Sequence, residues 1–413
     1  MEYYYRLNWS NICFEEFQLN IRLSDRVQSV KPSPTLAITA KAKALKAAGK
    51  DVIGLGAGEP DFDTPDHIKA AAIEAIKNGF TKYTAVDGTA ELKQAIIDKF
   101  SRDNQLDYAP EQILVSCGGK QSFYNLAQAL LNPGDEVVIP APYWVSYPDM
   151  VLLAGATPVV VEAGMDQQFK ITPDQLAQAI TPNTRLVVIN SPSNPTGVIY
   201  SREELAVLGA VLRDHPQVLV ASDDMYEHIV WTGVPFSNIV NACPELYART
   251  IVLNGVSKAY SMTGWRIGYA AGPVELIQAM KKVQSQSTSN PTSISQVAAT
   301  AALMGEQSCI ATMVAAFNSR HDYIVAALND ISGVSCLASG GAFYAFPSFQ
   351  QAIEARDDIV DDVAMADYLL DEAEVALVPG SAFGAPGYMR LSFATSLELL
   401  QDAITRIKRA LTR

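Results

Sequence analysis

Residues 186–223 read LVVINSPSNPTGVIYSREELAVLGAVLRDHPQVLVASD, and this stretch decides the fold. It begins with the apolar run Leu186–Asn190, passes through a loop rich in proline into the helical pattern of Glu203–Arg213, and ends in a second apolar run, Val218–Ser222. Two continuous apolar strands joined by a helix are typical of a parallel sheet that is covered on both faces. The stretch therefore predicts an α/β fold.

The same alternation extends over residues 61–300. Five further runs have the composition of buried strands: Ile113–Cys117, Glu136–Pro140, Pro158–Val161, Ile251–Asn254 and Ile267–Ala271. Apolar residues at helical spacing lie between several of them, at Ala90–Phe100, Gln121–Leu131 and Val274–Val283. Together these segments predict one large domain with a mostly parallel seven-stranded sheet that is covered by helices.

The two ends of the chain show a different pattern. The C-terminal part predicts two helices and three short strands: Ala315–Leu328, Ala342–Phe346, Val375–Val378, Arg390–Phe393 and Leu397–Leu411. We therefore expect a small α+β domain over residues 301–413, which residues 23–60 join as part of the domain and as an arm. Residues 1–22 are rich in aromatic side chains and lack the pattern of a secretory signal, so we interpret them as an N-terminal extension.

Composition excludes several classes of function. The chain has 413 residues, of which 49% are hydrophobic and 18% charged, as in a packed globular protein. Its formal net charge of -13 argues against a nucleic-acid partner, because phosphate binding needs a basic face. No apolar run reaches the ~18–20 residues that span a bilayer, so no membrane partner is expected. The five cysteines and four histidines show no ligand spacing, which predicts no metal site and the reduced thiols of a cytoplasmic protein.

Polar residues follow three of the predicted strands. Asn194, Asp223 and Lys258 occupy the position beyond the carboxyl ends of strands, where open α/β sheets bind ligands. A buried carboxylate such as Asp223 needs a positive partner, and a protonated pyridine nitrogen is one. A desolvated lysine becomes less basic and forms an imine with an aldehyde. Asn194 and Tyr226 can hydrogen-bond a ring oxygen. A plain ion pair between Asp223 and Lys258 is the alternative interpretation.

A phosphate site is predicted next to these residues. The segment Ser116-Cys-Gly-Gly-Lys-Gln121 lies between a strand and a helix, where backbone N–H groups suit an anion. Ser257 and Arg266 add a hydroxyl group and a bidentate cation. Trp144 offers a flat face on which a ring can stack, although ordinary core packing also explains this residue.

Two further segments bear on substrate binding. Arg390 lies at the start of a predicted strand among apolar residues, where its forked guanidinium matches a carboxylate. A salt bridge to one of the 44 acidic residues is the alternative for this arginine. The glycine-rich stretch Gly54–Gly58 lacks the spacing of a dinucleotide-binding motif and does not lead into a helix pattern, so we reject that interpretation.

Four motifs, taken in order, resemble the bacterial-type aspartate aminotransferase family, which is part of the pyridoxal-phosphate-dependent fold-type I aminotransferases of class I/II. The resemblance runs from about Leu23 to Arg413. Its motifs are Gly-Glu-Pro-Asp-Phe (58–62), Asn-Pro-Thr-Gly (194–197), Asp-x-x-Tyr (223–226) and Ser-Lys-x-Tyr-x-Met-Thr-Gly-Trp-Arg-x-Gly (257–268). It implies pyridoxal 5'-phosphate as cofactor and a ping-pong transamination, with L-aspartate and 2-oxoglutarate giving oxaloacetate and L-glutamate.

The resemblance also implies a role for each site residue. Lys258 carries the cofactor covalently and moves the proton, Asp223 pairs with the ring nitrogen, and Tyr226 and Asn194 bond the ring oxygen. Trp144 stacks on the ring. The phosphate is held by Gly118, Gly119, Ser257 and Arg266, and the substrate is contacted by Gly58, Trp144, Asn194 and Arg390. Tyr83 reaches the phosphate of a neighbouring subunit, which implies a homodimer with shared active sites.

This sequence departs from parts of the family at two positions. Gly255 replaces a serine that some branches use for the phosphate, and Gln284–Gln296 lacks the arginine with which those branches grip a distal carboxylate. Lys120 is our candidate for binding the distal carboxylate. In the alternative interpretation, Lys120 lies near the phosphate at the start of the helix or in solvent.

Other functions stay open from the sequence. Within the same fold they are a prephenate or aromatic aminotransferase and a β-lyase. Outside enzymes of this type they are a non-catalytic cofactor-binding regulator and an α/β binding protein without a cofactor.

Overall fold

The computed structural model describes residues 21–32 and 34–412. The predicted N-terminal extension, residues 1–22, therefore lies almost entirely outside the described residues. Twelve strands occur in the described part of the chain. They are β1 (Ile53–Gly54), β2 (Ile113–Ser116), β3 (Glu136–Ala141), β4 (Thr157–Glu162), β5 (Thr184–Asn190), β6 (Leu219–Asp223), β7 (Thr250–Gly255), β8 (Gly268–Ala271), β9 (Tyr344–Ala345), β10 (Val375–Ala376), β11 (Val378–Pro379) and β12 (Met389–Ser392).

The same residues contain fifteen α-helices. They are α1 (Asp25–Gln28), α2 (Pro34–Ala47), α3 (Asp66–Lys77), α4 (Ala90–Lys99), α5 (Gly119–Leu130), α6 (Ser146–Leu153), α7 (Pro173–Ala179), α8 (Arg202–Arg213), α9 (Ile239–Ala242), α10 (Val274–Ser285), α11 (Ser293–Met304), α12 (Ser308–Asn329), α13 (Gln350–Glu354), α14 (Asp362–Glu372) and α15 (Leu397–Leu411). A π-helical turn, Phe100–Asn104, continues α4.

The central sheet has seven strands in the order β2-β8-β7-β6-β5-β3-β4. Strand β8 is antiparallel to both of its neighbours, and the strands from β7 to β4 run parallel. All seven predicted strands are present, with ends that differ from the prediction by two residues at most. The predicted mostly parallel seven-stranded sheet is therefore confirmed.

The apolar runs form strands because both of their faces are covered. In β7, Ile251 and Leu253 belong to one core cluster, which also contains apolar residues of α5 and α10. Val252, between them, faces the opposite cluster, to which α4, α8 and α11 contribute. Each such fully buried side chain stabilises the fold by about 1.5–3 kcal/mol. This two-sided burial fixes the sheet, and with it the edge at which the polar residues emerge.

A second core lies outside the central sheet. It combines apolar residues of α12, α14 and α15 with Ile53 and Leu55 from the early part of the chain. Strand β1 pairs in parallel with β10, and β11, β12 and β9 form a small antiparallel sheet. The single strand predicted at Val375–Val378 is wrong, because the chain changes sheets there and forms two short strands instead.

The domain boundaries stay predictions. Pairing of β1 with β10 brings Ile53 and Gly54 of the 23–60 segment beside Val375 and Ala376. The boundary at residue 300, however, falls inside α11, which packs against α3 and α4 along its length. Helix α12 begins at Ser308, ahead of the predicted start at Ala315.

None of the individual helices in residues 21–32 and 34–412 has the length and apolar character needed to cross a membrane. The consecutive helices α11 and α12 meet that test only when they are taken together, and they are bent by 82° with respect to each other.

Candidate active site

The carboxyl ends of β5, β6 and β7 bring the predicted polar residues to one edge of the sheet. Asp223 is the last residue of β6 and lies in register with Asn190 of β5 and Leu253 of β7. The backbone N–H of Asn194 donates to the Asn190 side chain (2.9 Å), which folds the loop after β5 back over the strand end. Lys258 follows β7 in the adjoining turn. The topology thus supplies an amide, a carboxylate and an amine at neighbouring positions.

The Lys258 amine lies in a largely apolar surrounding. Its Nζ donates a hydrogen bond to the backbone carbonyl of Gly58 and lies 5.8–5.9 Å from the ring centres of Phe343 and Tyr226. Burial, together with the positive charge of Arg390, lowers the Lys258 pKa to about 8. An unprotonated amine is therefore accessible close to neutral pH, which is what imine formation and proton transfer require.

Asp223 is held by hydrogen bonds instead of by a cation. Its Oδ2 accepts a hydrogen bond from the Tyr147 hydroxyl group, and its Oδ1 accepts one from the backbone N–H of Met225 (3.3 Å). Burial raises the pKa of this carboxyl, although both hydrogen bonds and the charge of Lys258 oppose that shift. Because the Lys258 amine bonds a carbonyl and the carboxylate bonds a phenol, the geometry argues against the plain ion pair.

Arg390 is buried, and only 3% of its surface is exposed. Its two terminal nitrogens donate to the Asn194 Oδ1 (3.0 Å) and the Gly56 carbonyl (2.7 Å), whereas its Nε is buried without a hydrogen-bond partner. The guanidinium lies 4.7 Å from the Tyr344 ring centre and 4.9 Å from that of Phe383. Among residues 21–32 and 34–412, the alternative salt bridge to a surface acid does not form. A buried cation without an acidic partner is costly, so an anion from outside is its natural counterpart.

Tyr226 and Gly58 line the same space. The hydroxyl groups of Tyr226 and Tyr344 are hydrogen-bonded at 2.9 Å, and burial raises the pKa of both phenols, so they stay protonated. A Cβ at Gly58 would come within 2.8 Å of the Tyr344 hydroxyl group. Glycine at this position therefore keeps the space beside Lys258 and Arg390 open.

Several residues of the predicted phosphate site come together at the start of α5. Gly118 caps the helix in the left-handed region (φ +87°), and Gly119 is its first residue. A Cβ at Gly118 would lie 2.3 Å from a guanidinium nitrogen of Arg266, so the glycine is what allows the arginine to approach. Within the part of the chain that the structure describes, Arg266 donates only to carbonyls, those of Thr263 (2.9 Å) and Cys117 (3.3 Å). A cation without an acidic partner beside a helix N-terminus suits an anion.

The remaining predicted residues lie around this core. Ser257 is buried in the turn before Lys258. The indole of Trp144 packs edge-on against Tyr147 (5.1 Å), and the Lys120 amine lies 5.3 Å from the Trp144 ring centre. Burial and the charge of Arg266 lower the Lys120 pKa. Tyr83 is 91% exposed, so this chain by itself does not hold it in the site.

Comparison with known proteins decides the family. The family model for aminotransferase class I and II matches residues 50–407. The chain belongs to this family. It is 64% identical to the aspartate/prephenate aminotransferase of Nitrosomonas europaea, over 94% of this chain and 99% of the relative. These matches confirm the resemblance inferred from the four motifs.

Solved structures support the same assignment. This aminotransferase is similar to the aspartate aminotransferase from Rhizobium meliloti, with a TM-score of 0.92 and 48% identity over 95% of this chain and 99% of that one. It is also similar to the Thermus thermophilus aspartate aminotransferase with maleate, with a TM-score of 0.89 and 43% identity over 94% and 100% of the two chains. The predicted fold class is confirmed again.

Sequence reasoning missed three residues of the aminotransferase site. Tyr147 bonds Asp223, Tyr344 bonds Tyr226, and the Gly56 carbonyl accepts from Arg390. The sequence carries one weak signal for Tyr147, which stands three residues after Trp144 in an aromatic-rich loop. Nothing local marks the other two, because their partners lie far along the chain.

Proposed function

We propose that this aminotransferase binds pyridoxal 5'-phosphate and transfers an amino group between L-aspartate and 2-oxoglutarate in two half-reactions. The observation that carries the proposal is the Lys258 amine, whose pKa of about 8 leaves it partly unprotonated, near the Asp223 carboxylate, which forms no salt bridge within the described residues. An amine of this kind can bond covalently to an aldehyde cofactor. The relative from Nitrosomonas europaea carries the name of an aspartate/prephenate aminotransferase.

The residues present fit this cofactor. Asp223 provides a buried carboxylate for a protonated ring nitrogen, and Gly118 leaves a cradle that a Cβ would fill. The residues that would hold the cofactor are Lys258, Asp223, Asn194, Tyr226 and Trp144 around its ring, and Gly118, Gly119, Ser257 and Arg266 around its phosphate. When bound, the cofactor supplies a reactive aldehyde carbon and a ring that withdraws electrons from the substrate's Cα.

Lys258 then acts as the proton carrier. Its lowered pKa lets it accept the proton from the substrate's Cα and return it on the other side of the substrate's amino nitrogen. The rings of Phe343 and Tyr226 flank the amine, which keeps water away from it. Tyr147 holds the Asp223 carboxylate in one orientation, so that its charge stays directed at the ring site.

Arg390 orients the substrate. Its guanidinium faces aromatic rings, and its Nε has no hydrogen-bond partner within the described chain, so a donor is available for a substrate carboxylate. Gly58, with Asn194, would complete the contacts to the substrate's α-carboxylate. For a distal carboxylate we propose Lys120, which lies beside Trp144 at the rim. The relative from Thermus thermophilus was solved with maleate, a dicarboxylate of similar size.

A homodimer with shared active sites is also part of the proposal. Four apolar side chains are exposed close together in the sequence, Ile73 and Ile76 on α3 and Phe80 and Tyr83 in the loop that follows it. Contiguous exposed apolar side chains mark interaction sites, and a second copy is the simplest partner. Tyr83 would then reach the phosphate of the partner. The cytoplasmic location stays a prediction from the scattered cysteines.

The test is the visible spectrum of the purified protein. We expect the cofactor band to move to that of its amine form when L-aspartate is added without an oxo acid, and to return when 2-oxoglutarate follows. A band that stays unchanged with aspartate would refute the proposed substrate. Release of pyruvate and ammonia without an acceptor would instead indicate a β-lyase, and a colourless protein that ignores added cofactor would refute the whole proposal.

Prephenate is the second candidate acceptor. The name of the relative from Nitrosomonas europaea includes it. If prephenate, in place of 2-oxoglutarate, restores the original band after aspartate treatment, the second activity holds. A spectrum that stays in the amine form with prephenate would exclude it.

A further inference from the structure

The segment that carries Asp223 and Tyr226 has a second set of contacts on its other side. Tyr226 packs against Tyr344 in the site. The next residue, Glu227, is also buried, but its side chain contacts a different set of residues. None of the contacts of Glu227 described below involves the substrate space. They form a buried charge network that the proposed function does not use.

Glu227 is the centre of this network. Its carboxylate forms a salt bridge with Lys99, which is completely buried at the end of α4. It also accepts hydrogen bonds from the side-chain amides of Asn104 (2.7 Å) and Asn254 (2.6 Å), both of them buried. The amine of Lys99 donates in addition to the Asn104 Oδ1 (2.7 Å). Each member is therefore bonded to at least one other member.

Asn254 extends the network to the lysine that carries the chemistry. It lies near the end of β7, and its Oδ1 accepts a hydrogen bond from the backbone N–H of Gly255 (2.7 Å). Gly255 is three residues before Lys258. One carboxylate thus connects the segment of Asp223 and Tyr226 with the segment that leads to Lys258.

The energetics favour a role in positioning over one in stability. A buried ion pair loses much of its Coulomb energy to desolvation, and apolar residues of similar volume often stabilise a fold as well. A fully bonded polar network, in contrast, allows only one arrangement of its members. Burial opposes ionisation of Glu227, but Lys99, His228 and Asn104 outweigh it and lower the pKa to about 2, so the carboxylate stays charged.

We propose that Glu227 and Asn254 are positioning residues, which hold Asp223 and Tyr226 in fixed register with Lys258. The inference rests on the proposed function, since it assigns these residues to the same site. Reaction rates respond strongly to placement, and a misplacement of about 1 Å can cost roughly 100-fold. The network would thus act on the reaction without touching substrate or cofactor.

Asn254→Ala is the first test. It removes both hydrogen bonds of the amide and leaves the salt bridge of Lys99 and Glu227 in place. We expect kcat to fall roughly tenfold, with a smaller change in the KM for aspartate because Arg390 is unaffected.

The second readout of this variant needs no cofactor. The pH dependence of Lys258 acetylation in the cofactor-free protein, followed by mass spectrometry, reports the pKa of its amine. The charged groups around this amine, namely Arg390, Glu59, Arg266 and Asp223, are unchanged by the substitution. We expect the pKa to rise from about 8 towards the ordinary lysine value of about 10.4, because a loosened segment admits water.

A second variant tests the same hydrogen bond from the side of Glu227. The double substitution Lys99→Met with Glu227→Leu replaces the buried pair by apolar side chains of similar size, an exchange that folds tolerate. It leaves Asn254 without its anchor, so we expect the same two changes as in Asn254→Ala.

Asp224→Asn is the matched control. Asp224 is a buried carboxylate of the same segment, and its partners Ser222 (2.6 Å) and Asn238 (2.8 Å) lie outside the Lys258 segment. We expect this variant to change the thermal stability but neither kcat nor the acetylation profile. Changes in the control equal to those of Asn254→Ala would overturn the proposal, since they would indicate general loosening.

The outcomes separate this proposal from the proposed function. If the wild-type protein transaminates aspartate and both network variants match it in kcat and in Lys258 titration, the positioning role is refuted and the proposed function stands. If the wild-type protein shows no cofactor band even after incubation with the cofactor, the proposed function fails and the positioning role fails with it.

Discussion

The site contains two pairs of cations that differ in their surroundings. Lys258 and Arg390 lie in the interior, where burial lowers the pKa of both. Arg266 and Lys120 lie at the rim, where both keep surface exposed to solvent, although partial burial also lowers the pKa of Lys120. None of the four forms a salt bridge with an acidic side chain of the described chain; they contact carbonyls, an amide or aromatic rings instead.

This difference indicates which of the four cations contribute most to the binding of anions. An interior cation has lost its hydration, so an anion or a covalent partner changes its energy strongly. A rim cation keeps much of its water and is screened by salt, so its contribution is smaller. We therefore expect substitutions in the interior to act more strongly than those at the rim.

Lys258→Ala should have the largest effect. It removes both the covalent attachment point and the proton carrier, so we expect transamination to fall by at least about 10⁴-fold. Some cofactor should stay bound through Asp223 and Arg266. Turnover is measured with aspartate and 2-oxoglutarate, and bound cofactor by its absorbance. Unchanged turnover would refute the role of this lysine.

Arg390→Ala should come second. The loss of a buried bidentate contact to the α-carboxylate is expected to lower kcat/KM for aspartate by roughly 10²- to 10³-fold. Cofactor content should stay close to that of the wild type. Arg390→Lys is the control, because it keeps the charge without the fork and should recover only part of the loss. Unaltered affinity for aspartate in Arg390→Ala would contradict the assignment.

Arg266→Ala tests the first rim cation. Because this arginine faces solvent, we expect the affinity for the cofactor to fall about tenfold, with the loss decreasing at high salt. Equilibrium dialysis against pyridoxal 5'-phosphate at two ionic strengths measures both quantities. A roughly 10²- to 10³-fold loss of cofactor affinity that does not depend on salt would contradict the expected difference between rim and interior cations.

Lys120→Ala should have a still smaller and more selective effect. We expect kcat/KM for aspartate to fall about three- to tenfold, while that for alanine, which lacks a distal carboxylate, stays the same. The two amino acids are compared in the same variant, so each serves as a control for the other. Equal losses for both would place Lys120 near the phosphate, as its alternative interpretation holds.

The last prediction concerns the dependence of stability on pH. The pKa of Lys258 is about 8 in the folded, cofactor-free protein and about 10.4 when unfolded, so the unfolded chain binds more protons between these values. Stability of the wild type relative to Lys258→Met should therefore rise as the pH increases from 8 to 10. Melting temperatures of the two proteins across this range check the sign, and a constant difference would contradict the lowered pKa.

Sequence and structure contributed different parts of the site. The strands, and the polar residues at their ends, were predictable because apolar runs and helical spacing are properties of neighbouring residues. Asp223 and Lys258 were found in this way from β6 and β7 alone. The split of Val375–Val378 into two strands was not, because the pattern of a short apolar run does not show which sheet it joins.

The sequence by itself determined the α/β fold and the order of its strands along the chain, and it indicated Lys258 as the reactive lysine of the proposed function. Only the tertiary structure decided which side chains meet. Tyr147 and Asp223 are 76 residues apart, Tyr226 and Tyr344 are 118 apart, and Asn194 and Arg390 are 196 apart. The spacing of apolar residues along the sequence indicates which side chains are buried. The partner of a buried polar group, in contrast, depends on how distant segments pack together.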